Sequence, residues 1–289
     1  MFLDMDKQFV CKYCGHKSDR WYAYNVCCMN TIGVRYGAYG SAPLPLNRAI
    51  HRDISEIQAH QTKWIHIDND IFDKFLSDEI REINGQMVVI PHGIAEGSVN
   101  IIHGEAGSGK TALIIYWIGL IAKHYKVIYN STETPIYRIK GRLMDKLPYS
   151  FSNWYGTDTT DYYGLMQYLK TISPPYLLVI DSVNDMELKS GRKTFEAQLK
   201  YKVDKLINFT RKEHITLMMI MHETKDNRIK GDSNIMHDVD NIFKISKGKG
   251  YSIIETEKAR DNNRGATMKY MLIAGQGMKK YIDNKEEVL

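Results

Sequence analysis

The fold of this chain is decided by the stretch Gly104-Glu105-Ala106-Gly107-Ser108-Gly109-Lys110-Thr111. It fits the pattern G-x-x-x-x-G-K-[ST], in which glycines let successive backbone N–H groups face the phosphates of a bound nucleotide. A strand-type apolar run at residues 99–103 precedes the loop, and an apolar helical run at 111–124 follows it. A helix that begins at the loop adds its partial positive charge to the phosphate site. We therefore expect Lys110 to bind the β- and γ-phosphates and Thr111 to offer its hydroxyl to Mg²⁺.

Length and composition indicate a globular protein with one sizeable core. The chain has 289 residues, of which 43% are hydrophobic and 25% charged, so a disordered or fibrous class is not indicated. Its net charge of +5 permits a nucleic-acid partner without requiring one. Residues 1–10 carry acidic side chains, unlike a secretory signal, and the longest apolar run, 112–122, is too short to span a bilayer. These features predict a soluble intracellular protein without a membrane partner.

All four cysteines lie near the start of the chain, at Cys11, Cys14, Cys27 and Cys28. Such clustering is typical of a metal site in a reducing compartment rather than of a disulfide framework. We therefore expect a metal-binding module at residues 1–31, a linker and packing segment at 32–75, and the main domain at 76–289. Residues 70–83 carry apolar side chains at helical spacing, which predicts a helix packed on the main domain.

Strand-type and helix-type segments alternate from residue 98 onward, which predicts an α/β fold with a mainly parallel central sheet. The predicted strands are 99–103, 126–131, 176–182, 215–221, 241–246, 251–257 and 268–274. The predicted helices are 111–124, 135–146, 161–171 and 194–213. No helical pattern separates the last three strands, so we expect them to form hairpins at an antiparallel edge of the sheet.

Three polar side chains follow predicted strands at the edge of the sheet where the phosphate loop lies. Asp181 ends an apolar strand and is expected to order the Mg²⁺ hydration shell beside Thr111. Glu133 is expected to orient or deprotonate the attacking water, with a helix N-cap before Pro135 as the alternative. His222 ends a further strand and is expected to contact the γ-phosphate, with a structural role as the alternative.

Two polar loops at the same edge carry cations that suit contacts to the backbone of single-stranded nucleic acid. The residues expected to bind DNA are Lys189, Arg192, Lys193, Lys225, Arg228 and Lys230. Solvated charge alone is the alternative for these loops. Lys258 and Arg260, in the run that joins the last two predicted strands, lie two apart, so in a strand conformation they point to the same face and are expected to reach the nucleotide of an adjoining subunit, as arginine-finger-type cations. An ordinary basic hairpin is the alternative for that pair.

Residues 98–274 resemble the RecA-type ATPase core, and most closely that of the bacterial RadA (Sms) family. Residues 129–142 are similar to the family's Y-V-S-G-E-E…I-K-x-R stretch, 179–183 to V-I-D-S-I, and 221–225 to G-H-V-T-K. Residues 258–265 resemble its K-N-R-F-G signature, but three inserted residues leave either Arg260 or Arg264 in the place of the signature arginine.

The cysteine module extends the resemblance, because Cys11-Lys12-Tyr13-Cys14-Gly15 followed by Trp21 resembles the family's zinc ribbon. Cys27 and Cys28 are adjacent where the family has C-x-x-C, and His16 is a possible substitute ligand. The family's Lon-protease-like carboxy-terminal domain is expected to be absent, since the chain ends soon after the last predicted strand.

The resemblance implies a RecA-like P-loop NTPase core preceded by a small zinc ribbon, with ATP, Mg²⁺ and Zn²⁺ as cofactors. It implies ATP hydrolysis coupled to movement on single-stranded or branched DNA in recombination or repair, by a ring hexamer or alternatively a filament. A DnaB-type replicative helicase and a KaiC-like regulatory ATPase that does not act on DNA are the alternatives. The same resemblance implies a cytoplasmic location in a bacterium, and the abundance of Tyr, Ile, Asn and Lys leaves a phage protein in a bacterial host as an alternative.

Overall fold

The computed structural model describes residues 62–142, 153–188, 194–223, 229, 235–273 and 276–282, together with two short strands near the start. Those strands, β1 (Phe9–Val10) and β2 (Lys17–Ser18), pair antiparallel within a compact unit of residues 1–60. The other described residues belong to a second compact unit, Gln61–Leu289. Among the described residues, no helix has the length and apolar character that crossing a membrane requires.

The second unit begins with five short elements, which are β3 (Trp64–Ile65), α1 (Asp70–Leu76), β4 (Ile80–Ile83), β5 (Gln86–Val89) and β6 (Ile94–Ala95). The prediction of one helix over residues 70–83 was wrong beyond Leu76, because Ile80 lies in β4 and its side chain is 57% exposed. Asn84 and Gly85 have φ values of 52° and 77°. Two successive residues with positive φ form the tight turn that joins a two-stranded hairpin, here β4 and β5.

Nine strands form the main sheet, which are β7 (Val99–Gly104), β8 (Val127–Ser131), β9 (Trp154–Thr157), β10 (Leu177–Asp181), β11 (Thr216–His222), β12 (Asn241–Lys247), β13 (Ser252–Lys258), β14 (Thr267–Ile273) and β15 (Gly277–Lys280). Their order across the sheet is β15-β14-β13-β12-β7-β11-β10-β8-β9. The strands from β12 to β9 run parallel, whereas β12, β13, β14 and β15 pair antiparallel. The predicted mainly parallel sheet with an antiparallel edge is therefore confirmed.

The helices of the sheet region are α2 (Lys110–Ile121), α3 (Ile136–Arg142), α4 (Tyr162–Leu169), α5 (Phe195–Lys212) and α6 (Ile235–Asp238). Because successive strand residues face opposite sides, Leu177 and Val179 lie in one apolar core and Leu178 and Ile180 in another. The first core includes α1 and α2, and the second includes α4 and α5. Burial on both faces explains why the parallel strands read as continuous apolar runs.

Candidate active site

The glycine-rich loop connects the end of β7 to the start of α2. Gly104 has a φ of 150°, and a Cβ on this residue would lie 2.1 Å from the carbonyl oxygen of Ile245. Gly109 caps α2 in the left-handed conformation, with a φ of 98°. A side chain at Gly104 would clash with the backbone, and a side chain at Gly109 would disfavour the left-handed conformation. The N-terminus of α2 thus opens directly from the loop, an arrangement that binds phosphate groups.

Lys110 is buried and turns back on the loop that precedes it. Its Nζ donates hydrogen bonds to the carbonyl oxygens of Gly104, at 2.8 Å, and Glu105, at 2.9 Å. Burial lowers the pKa of Lys110, while the carboxylates of Asp181, Glu133 and Glu223 oppose that change. An ammonium group that is hydrogen-bonded to carbonyl oxygens can exchange them for phosphate oxygens, which accept charge-assisted hydrogen bonds.

Asp181 ends β10 directly opposite the first turn of α2. The hydroxyl groups of Thr111 and Tyr129 each donate a hydrogen bond to its Oδ2, both at 2.8 Å. Burial raises the pKa of Asp181, and the two hydrogen bonds act against that rise. A hydroxyl and a carboxylate are hard oxygen ligands of the kind that Mg²⁺ prefers, so these residues fit a magnesium site at the phosphates.

Glu133 and His222 form an ion pair, with Glu133 Oε1 at 2.8 Å from His222 Nε2. The hydrogen bond from His222 lowers the pKa of Glu133, and the same bond raises the pKa of His222. Asp185 Oδ2 and Ser182 Oγ lie 3.3 Å and 3.2 Å from the same ring nitrogen. Glu133 is therefore held ionised, which is the state that a general base requires.

A cavity of about 400 Å³ contains these groups. It is lined by Ala106, Gly107, Gly109, Lys110, Thr111, Ala112, Glu133, Asp181 and His222. The cavity thus brings together five side chains of the predicted site, which come from the loop and from the ends of β8, β10 and β11. Three other residues of the predicted loop, Gly104, Glu105 and Ser108, do not line the cavity. A cation, two oxygen ligands and an ionised carboxylate around one cavity are the groups needed to transfer a phosphoryl group to water.

No protein-family model matches the chain. Its sequence is 24% identical to DNA repair protein RadA of Rickettsia felis over an alignment of 269 residues, which covers 88% of this chain and 55% of that protein. Its structure resembles that of the RadB recombinase, with a TM-score of 0.51, 19% identity and coverage of 66% of this chain and 94% of that one. The chain is therefore similar in sequence to RadA and shares the fold of the RadB recombinase.

A KaiC-like protein from Pyrococcus horikoshii OT3 shares the same fold. The TM-score is 0.58 at 14% identity, and the match covers 77% of this chain and all of that protein. The predicted RecA-like core is therefore confirmed. The chain spans about half the length of the RadA protein that it matches.

Lys258 and Arg260 lie away from the cavity of their own chain. Strand β13 ends at Lys258, so Arg260 lies beyond it, and the two residues do not share one strand as predicted. Lys258 Nζ donates to the carbonyl oxygens of Met236, at 2.7 Å, and Val239, at 2.7 Å, around the end of α6. Arg260 forms an ion pair of 2.9 Å with Asp240. Both cations therefore hold the end of α6, and their action on a neighbouring subunit stays a prediction.

Two sets of predicted residues lie outside the described part of the chain. The first comprises the four cysteines expected to bind zinc, Cys11, Cys14, Cys27 and Cys28. The second comprises the cations expected to bind DNA, Lys189, Arg192, Lys193, Lys225, Arg228 and Lys230. Zinc binding stays a prediction, which the zinc content of the purified protein tests.

A buried lysine that the sequence did not single out supports the site. Lys202 Nζ, on α5, donates to the carbonyl oxygens of Val183, at 3.1 Å, and Met186, at 2.6 Å. The turn between these two carbonyls carries Asn184, whose Oδ1 accepts a hydrogen bond of 2.9 Å from the backbone N–H of His222. The only sequence signal for Lys202 was its position on the apolar face of a predicted helix, where a charged residue needs partners.

Proposed function

We propose that this chain is a Mg²⁺-dependent, DNA-stimulated ATPase of the RadA type that translocates on single-stranded or branched DNA in recombination or repair. The cavity formed by Lys110, Thr111, Asp181, Glu133 and His222 is the observation that carries the proposal. The similarity to a DNA repair protein over 88% of the chain supports the DNA part.

In the proposed reaction, Lys110 leaves the carbonyl oxygens of its own loop and binds the phosphates of ATP. Thr111 would hold Mg²⁺ and Asp181 would order its hydration shell, and the bound ion would neutralise phosphate charge. Glu133 accepts a hydrogen bond or a proton from the attacking water, and its lowered pKa keeps it ionised at neutral pH. His222 contacts the γ-phosphate and loses this contact when the γ-phosphate leaves. The segment after β11 then moves with His222.

The cations of that segment, Lys225, Arg228 and Lys230, and those of the loop containing Lys189, Arg192 and Lys193 are the proposed DNA contacts. Such contacts neutralise backbone phosphates and release counterions, so the affinity for DNA falls as the salt concentration rises. Movement of one loop at each hydrolysis step then displaces the DNA relative to the subunit.

The test of this proposal is the ATPase rate of the full chain, with magnesium, in the presence and absence of single-stranded DNA. We expect DNA to raise the rate, and we expect the DNA concentration needed for half of this effect to rise with salt. Lys110→Ala protein serves as the control for contaminating ATPases. An unchanged rate and assembly state at every DNA concentration, without salt-dependent binding, would rule out the DNA part.

A ring hexamer is the proposed assembly, with a filament as the open-ended form, because cations acting on a neighbour's nucleotide need repeated head-to-tail interfaces. Neither Lys258→Ala nor Arg260→Ala protein alone is expected to turn over ATP well. Mixing either with Lys110→Ala subunits should restore hydrolysis at interfaces that combine an intact loop with intact cations. If no mixing ratio restores activity, the two cations do not act across an interface.

A regulatory ATPase of the KaiC kind is the second candidate, since a KaiC-like protein matches 77% of the chain with a TM-score of 0.58. In that case nucleotide state controls protein partners, and DNA has no effect on hydrolysis. A DnaB-type helicase, by contrast, would unwind a forked duplex faster than it migrates a preformed junction. A RadA-type protein is expected to prefer the junction.

A further inference from the structure

His103 occupies a buried position between two carboxylates at the end of β7. Its Nδ1 is 2.8 Å from Glu223 Oε1, and its Nε2 is 2.9 Å from Glu257 Oε2. The side chains of His103 and Glu223 are only 2% and 3% exposed, and that of Glu257 is 29% exposed. Buried ionisable groups are costly unless they are paired, so these three side chains depend on one another.

The two hydrogen bonds fix the number of protons in this cluster. A neutral imidazole has one N–H and ionised carboxylates have none, so that combination supplies one proton for two hydrogen bonds. Both hydrogen bonds together therefore require one further proton, and two carboxylates with an imidazolium would carry a net charge of −1. The hydrogen bond to His103 lowers the pKa of Glu257, which favours the proton on the ring.

Two lysines face this cluster from the neighbouring elements. Lys244 Nζ, on β12, lies 3.8 Å from Glu257 Oε1. Lys110, at the start of α2, interacts electrostatically with Glu223. These cations offset the negative charge of the two carboxylates.

Each member of the cluster is adjacent in sequence to a residue that was predicted to act on a nucleotide. His103 precedes Gly104, Glu223 follows His222, and Glu257 precedes Lys258. Strands β7 and β11 are neighbours, but β12 lies between β7 and β13, so His103 bridges across one strand to reach Glu257.

The reach to β13 depends on a β-bulge. Ile242 pairs with Lys258 and Phe243 pairs with Thr256, which leaves Glu257 as the extra residue of β13. A bulge changes the direction of the side chain it carries, which places the Glu257 carboxylate near His103. The RadA segment G-H-V-T-K has valine where this chain has Glu223, so the second carboxylate departs from the family pattern.

We propose that His103 is a positioning residue, which holds the end of β11 with His222 and the end of β13 with Lys258 in fixed places relative to the phosphate loop. His103 holds both strand ends only while the cluster retains the further proton that its two hydrogen bonds require. Loss of that proton breaks one of the two hydrogen bonds and loosens one strand end. Since the proton is present at low pH and lost as pH rises, the positioning is lost on the alkaline side. The effect on turnover rests on the proposed ATPase function.

Glu257→Gln tests the proton requirement, because an amide can donate to an unprotonated ring nitrogen and a neutral His103 then keeps both hydrogen bonds. We expect wild-type kcat to fall about 10-fold or more with rising pH as the proton is lost. In Glu257→Gln the fall should disappear over the same pH range, while the KM for ATP stays within about twofold of the wild-type value. Glu255→Gln is the matched control, since Glu255 is exposed on the same strand and should leave the profile unchanged.

Ring ¹⁵N resonances of His103, assigned by their loss in His103→Gln protein, give a second measurement that does not need ATP. They are expected to titrate over the same pH range as kcat in the wild type, and not in Glu257→Gln. Superimposable kcat profiles of wild type and Glu257→Gln would overturn the proposal, as would a His103 ring that does not titrate where kcat falls. If the wild type hydrolyses no ATP, the proposed function fails, and the ring titration still tests the cluster.

Discussion

Glu133→Gln protein is expected to bind ATP normally and to lose most of its turnover. The amide keeps the size of the side chain but cannot accept a proton from water, and general base catalysis contributes about 10²- to 10⁴-fold to a rate. Steady-state hydrolysis gives kcat, and titration with a fluorescent ATP analogue gives the affinity. We expect a fall of that size in kcat alone.

A second carboxylate, outside the cavity, provides the control for this prediction. Glu187→Gln changes an exposed carboxylate outside the cavity and is expected to leave kcat unchanged. The ion pair of 2.8 Å between Glu133 and His222 would be weakened in Glu133→Gln, so its thermal midpoint is measured as well. A folded Glu133→Gln protein with near-normal turnover would show that another group activates the water.

Lys110→Ala is expected to weaken ATP binding itself. Hydrogen bonds to charged groups contribute about 1.5–3 kcal/mol, which corresponds to roughly a 10- to 100-fold loss of affinity. The folded protein should tolerate the change, because Lys110 bonds only to carbonyl oxygens of its own loop among the described contacts. Calorimetric titration with MgATP measures the loss.

Lys212→Ala removes a cation whose side chain is 81% exposed, outside the cavity, and serves as the matched control. Its affinity for ATP should equal that of the wild type. Equal affinity of Lys110→Ala and wild-type protein would place the nucleotide elsewhere.

Much of the sheet follows from sequence because its strands carry strong local signals. The apolar runs that become β7, β10 and β11 are buried on both faces, so no alternation conceals them. The strand β9 has a weaker pattern, since Trp154–Thr157 is an edge strand with two exposed residues and a glycine. Its pairing with β8 comes from tertiary contacts that no local pattern encodes. The hairpin of β4 and β5 did have a signal, Asn84-Gly85, but the helical spacing before it concealed the turn.

The candidate site was likewise predictable from the sequence only in part. Lys110, Asp181, Glu133 and His222 could be assigned because parallel strands bring their carboxyl ends to one edge. Their partners come from distant positions, and nothing in the sequence pairs Tyr129 with Asp181. The contacts of Lys258 with α6 were equally inaccessible, because that helix has only four residues and is placed by packing.

The groups around the cavity have complementary chemical roles. The cavity holds a lysine that is ready to change partners, a threonine and aspartate pair suited to magnesium, and a carboxylate kept ionised by a histidine. Each group is placed by the end of a different strand or by the loop. These groups can act together only on a triphosphate that lies along residues 104–111.

Calorimetric titration of the wild-type chain with ATP, with and without magnesium, tests that claim most directly. We predict saturable binding of ATP that is stronger with magnesium, because Thr111 and Asp181 gain a metal to hold together with the phosphates. Absence of heat and of competition with a fluorescent analogue, in folded protein with magnesium present, would contradict the account.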